Sequence, residues 1–586
     1  MKKTYNIKHI ALLGCVAMGA TLTSCNDWLT LYPKDKIVEE SFWEDKKDLE
    51  SVRNEAYKNM ISDGNIKKYM IWGEFRSDNF DRKTNVTDEN LMDLMNVNLK
   101  PTNSFYDWSG FYATINYCNK VIQHGPEILK KDLSFSQGDW EAIRAEMYGL
   151  RALNYFYLTR TFDSIPLVMN AINDDSEVTR PKASSQKAVL DTLVNQLEYI
   201  CTTNMVQDYG NSSDNKGLIT DKAIHTILAD IYLWRASMQE LTDKATADAD
   251  YSKCIEHCDY VIQQMDKEYR EDNSGSFRPG AGSGTDENNP YHLYLNEGRD
   301  GSTLTDGAYR YIFGSKNSRE SIFELQFDGT KNNNGAVTTY YRTTGESGTV
   351  GNIIASDLIG NAASQVDGTS GGLFYKTDIR RWETFYQYEE GKYSVVKYAA
   401  QSVQQNKLAD NTQATDNNKP VISWRTSANA NWIFYRITDV LLMKAEALCR
   451  LGSQEQLNEA FALVEEVYYR SNPLATNSSD KLNANNYTNQ DAVEGLILRE
   501  RRREFYGEGK RWFDVVRYAL RKETNSEAAF ELIQNKYTGS AQNVARNKYK
   551  QGIKVLYAPI YENEIKANPN LNQNPIWDEE SSIAKQ

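Results

Sequence analysis

The stretch RERRREFYGEGKRWFDVVRY, residues 499–518, combines a basic cluster, two glycines and an aromatic helix. The cluster Arg501–Arg503 stands between two glutamates, which indicates a solvated or salt-bridged helix face and not a phosphate site. After Gly507 and Gly509, the segment Arg511–Asp514 places two rings between an arginine and an aspartate. We interpret it as the start of a helix that is buried by its rings and held in register by Arg–Glu contacts. This motif is therefore structural, and we assign it no ligand.

Other segments also have helical spacing. Apolar residues recur at helical intervals from Lys47 to Ile61, and the segment Ser62–Asn65 that follows is typical of a turn. Residues Trp140–Thr161 predict a long helix that ends shortly before Pro166.

Two pairs of segments resemble helical hairpins of the tetratricopeptide type. The first pair is 223–236 with 251–263, and the second is 439–452 with 457–470. Both pairs depart from the strict 34-residue repeat by insertions. Ordinary helix packing is the alternative interpretation.

Residues 272–432 differ from the rest because they are rich in Gly, Asn, Ser, Thr and Tyr. Within them SIFELQF (321–327) and KYSVVKY (392–398) alternate as strands do. We predict a mainly α fold, in which a tetratricopeptide-like helical hairpin scaffold carries a large, loop-rich insert with short strands. The scaffold would span about 40–271 and 433–525, the insert about 272–432, and an extended tail about 526–586.

The amino end predicts export. Residues 1–9 carry three lysines and no acid, and Ile10–Leu22 is apolar apart from one threonine. This run is too short for a bilayer-spanning helix, which needs about 20 residues. It is typical of a signal peptide over residues 1–24. The sequence Leu22-Thr23-Ser24-Cys25 resembles a bacterial lipobox, so we expect cleavage before Cys25 and acylation of its thiol; an ordinary signal with a chance cysteine is the alternative.

Charge argues against nucleic acid as a partner. The chain has 67 Lys and Arg against 80 Asp and Glu, a net charge of −13. Phosphate backbones are bound by basic surfaces, which this balance does not favour. Tyrosine leads the aromatics with 37 residues, and rings with a polar tip suit wet interfaces and sugars as well as cores.

The cysteines do not indicate a disulfide framework. Five of the seven lie beyond Cys25, and five is an odd, scattered set. Cys254 and Cys258 are four residues apart in a helical stretch, where Cβ atoms lie about 5–6 Å apart. That spacing exceeds the Cβ separation of about 3.8 Å in a disulfide, so we interpret both as buried helix residues.

Taken in order, six segments resemble one known family, the SusD/RagB-type glycan-binding lipoproteins of the outer membrane of Bacteroidetes. The segments are LTLYPKDKIVEESFW (29–43), EMYGLRALNYFYLTRTFDSIPLV (146–168), RESIFELQF (319–327), YRITDVLLMKAEAL (435–448), the stretch 499–518 and LYAPIYENEIKANPNLNQNPIW (556–577). The stretch 499–518 is the most specific match. Ala558 and Tyr561 depart from the closing motif of the family.

The resemblance implies a non-catalytic receptor that is lipid-anchored to the outer membrane and faces the outside of the cell. Such a receptor captures an oligosaccharide or polysaccharide and passes it, as a hinged lid, to a SusC-like TonB-dependent transporter. It requires no cofactor and no metal. The resemblance also implies a ligand site where early loops meet the insert, although the ligand residues of the family vary with the glycan.

Candidate ligand-binding residues are rings and polar groups in those loops. They are Asp63, Asn65, Asp78, Trp108, Tyr375, Arg380, Arg381, Trp382 and Tyr398. For each ring the alternative is core packing, and for Asp63 and Asn65 it is ordinary turn chemistry.

Two other functions stay open. A glycoside hydrolase needs two carboxylates across a cleft, and the many acids allow such a pair, but no nucleophile, zinc or nucleotide motif stands out. A receptor for peptide or another non-sugar nutrient, or a helical-repeat scaffold for protein partners, is the second alternative. The segments TDENN and DNTQATDNN offer oxygen ligands without the spacing of a calcium loop.

Overall fold

The structure is a computed structural model that describes residues 42–173, 177–273, 289–296, 308–356, 362–363, 366, 372–389, 391–404, 420–473, 475 and 478–578. It is mainly helical, with short strands concentrated in the predicted insert, so the predicted fold class is confirmed. The helices are α1 Lys46–Met60, α2 Asp63–Glu74, α3 Glu89–Met95, α4 Ser109–Lys131, α5 Gln137–Phe162, α6 Gln186–Cys201, α7 Ser212–Gly217, α8 Asp221–Gln239, α9 Lys244–Asn273, α10 Arg380–Thr384, α11 Ile437–Leu451, α12 Gln454–Ser471, α13 Gln490–Glu504, α14 Arg511–Leu520, α15 Ser526–Ile533, α16 Ser540–Tyr549 and α17 Glu562–Ala567.

The strands pair in small antiparallel sheets and one parallel pair. They are β1 Phe80–Arg82, β2 Ile165–Pro166, β3 Ala183–Ser184, β4 Ser321–Leu325, β5 Ile353–Ala355, β6 Ala362–Ala363, β7 Phe374–Tyr375, β8 Phe385–Glu389, β9 Lys392–Val395, β10 Ala400–Gln404, β11 Val421–Trp424 and β12 Trp432–Arg436. The largest sheet has the order β1-β5-β9-β8, and β10 pairs with β11, β12 with β4, β2 with β3 and β6 with β7. Since β1 precedes most of the helices and β5 lies in the insert, this sheet joins the two parts of the chain.

The predicted helices and hairpins are confirmed. The first predicted helix is α1 and the long one is α5. The two predicted hairpins are α8 with α9 and α11 with α12, and α9 also packs against α11. The strands predicted at 321–327 and 392–398 are β4 and β9. The division into scaffold, insert and tail stays a prediction.

The turn predicted at residues 62–65 is wrong. The Ser62 carbonyl accepts hydrogen bonds from the backbone N–H groups of Asn65 and Ile66, both at 3.0 Å. A new helix, α2, therefore begins directly after Ser62, and Asp63 and Asn65 lie in its first turn. The polar residues of this segment begin a helix instead of forming a loop.

The motif at 499–518 brings the two halves of the chain into contact. Its two glycines have positive φ, +74° at Gly507 and +72° at Gly509, and they turn the chain between α13 and α14. A Cβ on Gly73 of α2 would lie 1.7 Å from the Gly509 carbonyl oxygen. The two backbones are therefore in direct contact, and only glycine fits there.

The charges of the motif are paired and buried, so the salt-bridged interpretation is confirmed and the solvated one is wrong. Glu504 accepts hydrogen bonds from the guanidinium groups of Arg380, Arg436 and Arg470. Glu508 accepts from Arg436 at 2.8 Å and from Lys397 at 2.7 Å. Although burial opposes ionisation, these cations hold the pKa of Glu504 well below its ordinary value.

A second set of buried pairs fixes α14 against α11. Arg501 bonds Asp439 and Asp514, at 2.9 and 3.0 Å. Arg517 bonds Glu446 at 2.7 Å. The charges therefore set the register of the helix, while Trp512 and Phe513 are buried as predicted.

Cys254 and Cys258 are buried in α9, as predicted. None of the helices in the described part of the chain combines the length and the apolar character needed to span a bilayer. Cys25 and the predicted signal peptide lie outside the described residues, as do DNTQATDNN and all but the last residue of TDENN.

Replacing Glu504 by glutamine should destabilise the protein by about 3–5 kcal/mol, because three buried guanidinium groups would lose their shared anion. Glu55→Gln is the matched control, since Glu55 forms a surface pair with Lys58 and such pairs contribute about 0–1 kcal/mol. The measurement is urea-induced unfolding monitored by circular dichroism. Equal unfolding midpoints for the two variants would contradict the role assigned to Glu504.

Candidate functional site

Five of the nine candidate ligand-binding residues are buried, and for these the prediction is corrected. Trp108 is 3% exposed and packs edge-on against Phe162, with ring centroids 5.0 Å apart, and against Tyr112 at 5.7 Å. Its backbone caps α4. The ring belongs to the core, so no face is open to a sugar.

Two more of these residues lie in the insert. Arg380 bonds Asp378 at 2.7 Å and Glu500 at 2.6 Å, in addition to Glu504. Tyr398 is 1% exposed, and its ring stacks on Trp432 at 5.3 Å. Both side chains make internal contacts, so neither is presented to a ligand.

The remaining two buried residues belong to the early part of the chain. Asp78 bonds Arg502 at 2.9 Å and Arg511 at 3.0 Å. Burial opposes ionisation of this carboxyl, but the two arginines hold its pKa below the ordinary value. Asn65 donates to the Asn59 carbonyl at 2.9 Å and fits against Gly110. Both side chains hold α2 in place.

A cavity beside Arg380 does not provide a ligand site either. Its lining includes Glu383, Lys397 and Ser471, together with Glu504 and the three arginines that bond it. The volume of the cavity is about 20 Å³. This is space for about one water molecule and not for a sugar ring. Burial raises the pKa of Glu383 to about 8, so this carboxyl is largely protonated at neutral pH.

Four candidates are accessible, and their ligand role stays a prediction. Asp63 is exposed, bonds Lys67 at 2.6 Å and lies against Gly335 of the insert. Tyr375 is half-buried and donates to Asp480 at 3.1 Å. Arg381 and Trp382 form a half-buried pair, with the guanidinium carbon 4.9 Å from the ring centroid.

A better-formed group of side chains lies on the strands of the insert. The guanidinium carbon of Arg342 lies 4.0 Å from the ring centroid of Trp424, and Tyr386 meets the same indole edge-on at 6.1 Å. All three side chains are half-buried. We call Arg342, Tyr386 and Trp424 the Trp424 platform.

Local structure explains how the platform forms. Trp424 ends β11, whose residues alternate between exposed and half-buried, and Tyr386 follows the buried Phe385 on β8. Arg342 directly follows a π-helical turn, Val337–Tyr341, and π turns are frequent at functional sites. The loop after Arg342 is held to the residue that follows β11 by a hydrogen bond from the Gly345 N–H to the Arg425 carbonyl, at 2.7 Å.

The early part of the chain borders this platform. Arg342 forms a β-bridge with Val350, and the Val350 carbonyl accepts from the Lys83 ammonium at 3.2 Å. Lys83 directly follows β1, which pairs with β5 of the insert. The platform is therefore next to the junction where a ligand site was expected, although through residues other than those predicted.

The platform can offer both kinds of contact that a sugar needs. A half-buried indole presents an apolar face, and an arginine has five N–H donors. Among the described residues, the acceptor for Arg342 is the Glu346 carbonyl at a long 3.4 Å. Its Nε is buried, so the donors that can serve ligand hydroxyls are those of its two terminal nitrogens.

Sequence reasoning missed all three platform residues. The alternation VISW at 421–424 and the rings in FYQY at 385–388 were available as signals, since alternation predicts one outward face. Nothing local indicated that Arg342, some 80 residues earlier, would cover Trp424.

A larger concavity, about 340 Å³, lies between α15 and α16. Phe530 and Tyr549 line it, but their rings are 4% and 0% exposed. Its accessible walls are the polar side chains of Glu527, Glu531 and Arg546. It lacks an open ring face among the described residues, so the Trp424 platform is the stronger candidate.

Comparison with known proteins identifies related chains. A family model described as the SusD family matches residues 319–577, and one described as "Starch-binding associating with outer membrane" matches residues 27–233. SusD-like protein P38 of Formosa agariphila is 27% identical over 539 residues, which are 88% of this chain and 92% of that protein.

Solved structures share the fold. NanU of B. fragilis aligns with a TM-score of 0.60 at 17% identity, over 93% of this chain and 99% of that one. Surface glycan-binding protein A from Bacteroides uniformis aligns with a TM-score of 0.60 at 18% identity, over 90% of this chain and 99% of that one. At these identities the likeness establishes the fold alone.

Trp108→Ala should destabilise the protein by about 3–5 kcal/mol, the usual range for removing a buried Trp or Phe side chain. Trp382→Ala, at a half-buried ring, should have a clearly smaller effect. Thermal and urea unfolding of the two variants would measure this difference. If Trp108→Ala unfolded like the parent protein, the ring would not be part of the core.

Proposed function

This chain belongs to the SusD family, and on that premise we propose that it is a non-catalytic receptor that captures an oligosaccharide outside the cell on the Trp424 platform. It delivers the sugar to a SusC-like TonB-dependent transporter in the outer membrane, to which it is tethered by acyl chains on Cys25. The family description, starch binding in association with the outer membrane, supports both the ligand class and the location.

The observation that carries the proposal is the contact of Arg342 and Tyr386 with one half-buried indole. The C–H face of a sugar ring packs on an aromatic face, and the guanidinium donates to hydroxyl oxygens. Since Arg342 lies over one face of the indole and Tyr386 meets it edge-on, the ring is already ordered and little side-chain entropy is lost on binding. The Lys83 ammonium, which bonds the Val350 carbonyl beside Arg342, adds a further hydrogen-bond donor.

The affinity expected from such a site is modest, and a delivery function needs it to be. Micromolar binding corresponds to about −8 kcal/mol. One stacked ring and several hydrogen bonds to a charged group can provide this. A much tighter complex would release its sugar too slowly for transfer.

The rest of the molecule fits a receptor that does no chemistry. The buried carboxylates with strongly lowered pKa values, such as Asp439 and Glu504, are engaged by cations. Glu74 and Glu383, whose pKa values are raised, are buried inside the protein. Incubation with polysaccharide should therefore yield no new reducing ends.

Trp424→Ala should weaken sugar binding at least tenfold, which corresponds to about 1.4 kcal/mol, because it removes the ring on which the sugar lies. The measurement is affinity electrophoresis and calorimetry of the chain without its leader against amylopectin, dextran, laminarin, arabinoxylan and galactomannan. Trp424→Phe should retain part of the binding.

Val421→Ala is the matched control, since Val421 is 66% exposed on the same strand. Parent-like binding by Trp424→Ala would place the site elsewhere. Binding of a peptide mixture by the parent protein, with no binding of any of the five polysaccharides, would favour the alternative of a peptide receptor.

Cys25→Ala should abolish incorporation of a clickable fatty acid and should release the protein from the outer-membrane fraction, because the thiol that carries the acyl chain is gone. Cys15→Ala is the matched control, since Cys15 lies inside the predicted leader. Cleavage of the parent protein by protease added to intact cells would test its orientation. A parent protein that is unlabelled, or that is found free in the periplasm, would contradict the anchor.

A further inference from the structure

A second group of stacked side chains lies where the insert meets α9 and is not part of the Trp424 platform. Tyr311 stacks on Tyr294, with ring centroids 4.8 Å apart and planes 14° apart. The guanidinium carbon of Arg319 lies 3.9 Å from the Tyr294 centroid and 5.3 Å from that of Tyr269. Tyr269 in turn stacks on His292 at 3.8 Å. We call these five residues the Tyr311 stack.

The inner members of the stack are fixed by hydrogen bonds. Arg319 donates from Nε to the His292 carbonyl at 2.8 Å. The Tyr294 N–H donates to Glu320 at 2.6 Å, and its hydroxyl accepts from the Arg319 N–H at 3.3 Å. His292 is held by Asp266 at 2.6 Å. The stack is therefore rigid below its outermost ring.

Tyr311 is turned outward by the backbone. It lies in a π-helical turn, Arg310–Gly314, whose other large apolar side chains, Ile312 and Phe313, are 2% and 7% exposed. Tyr311 is 40% exposed and is one of few large apolar side chains with this exposure in the described part of the chain. The turn thus buries the two apolar side chains that follow Tyr311 and leaves the Tyr311 ring accessible to solvent.

The Tyr311 stack and the Trp424 platform are connected through one arginine. Arg425, next to Trp424, donates to the carbonyls of Phe313 and Gly314, the latter at 3.1 Å. In addition, Trp424 pairs with Ala400 of β10, and the Ala400 carbonyl accepts from Tyr309 at 3.2 Å. The lengths of these connections limit the separation of the Tyr311 and Trp424 Cα atoms to roughly 20 Å.

We propose that the Tyr311 stack is a second carbohydrate contact, which holds another sugar unit of the same glycan chain that is bound on the Trp424 platform. This inference rests on the proposed function and extends it. An exposed tyrosine ring offers an apolar face, and the braced rings and guanidinium beneath it keep that face in one orientation. The ligand class is a neutral glycan long enough to reach both surfaces.

Two linked contacts give a length dependence that one contact does not. Once one sugar unit is bound, a second unit of the same chain meets the other surface at a high effective concentration. An oligosaccharide too short to span the two surfaces contacts only one of them. Long glycans should therefore bind more tightly than their trisaccharides, and part of that difference should depend on Tyr311.

The experiment compares each polysaccharide with its trisaccharide in calorimetry: amylopectin with maltotriose, dextran with isomaltotriose, laminarin with laminaritriose, arabinoxylan with xylotriose and galactomannan with mannotriose.

For the polysaccharide that binds, Tyr311→Ala should weaken binding three- to tenfold and leave trisaccharide binding unchanged. Tyr311→Leu, which keeps apolar bulk over Tyr294, should show the same loss, and Tyr311→Phe should bind like the parent protein. Trp424→Ala should weaken the binding of both the polysaccharide and the trisaccharide.

Tyr199→Ala is the matched control, because Tyr199 is 54% exposed and also lies beside an arginine, with Arg144 at 5.4 Å. It should bind both ligands normally, and all variants should unfold at the parent temperature. Parent-like polysaccharide binding by Tyr311→Ala would overturn the second contact, as would loss of trisaccharide binding. If the parent protein bound none of the five polysaccharides, the proposed function itself would fail, and the second contact with it.

Discussion

The structure depends on the carboxylate of Glu504, which is shared by three guanidinium groups from different parts of the chain. Arg380 comes from the short helix before β8, Arg436 ends β12, and Arg470 lies near the end of α12. Taking these charges out of water is unfavourable, and the penalty is offset only when every partner is in place. The insert and the helical scaffold are therefore held in one relative arrangement, on which the positions of both aromatic surfaces depend.

Aromatic residues and arginines have two different roles in this structure, one in the interior and one at the surface of the insert. Rings and arginines in the interior, such as Tyr398 and Arg380, are buried against protein partners. Those on the strands and turns of the insert, such as Trp424 and Arg342, keep a ring face or hydrogen-bond donors toward solvent. A rigid interior lets exposed side chains be ordered before a ligand arrives, which reduces the entropy lost on binding.

The local sequence predicted the scaffold better than the site. Helical spacing identified α1, α5 and both hairpins, and alternating charges in the stretch 499–518 indicated ion pairs, because these signals lie within a few residues of each other. Exposure is a property of the whole fold. Trp108 has polar neighbours in sequence, yet its ring lies on Phe162, and Trp424 becomes a platform only through the distant Arg342. The turn expected at Ser62–Asn65 failed for a similar reason, since its polar residues equally suit the first turn of a helix.

The contact of Gly73 with Gly509 bears on when the chain can fold. Helix α2 is made early in synthesis, but the backbone against which it packs is some 430 residues later. Contacts between distant segments form slowly because a long loop must first close. A nascent polypeptide that has not yet reached Gly509 thus has no complete core to close around.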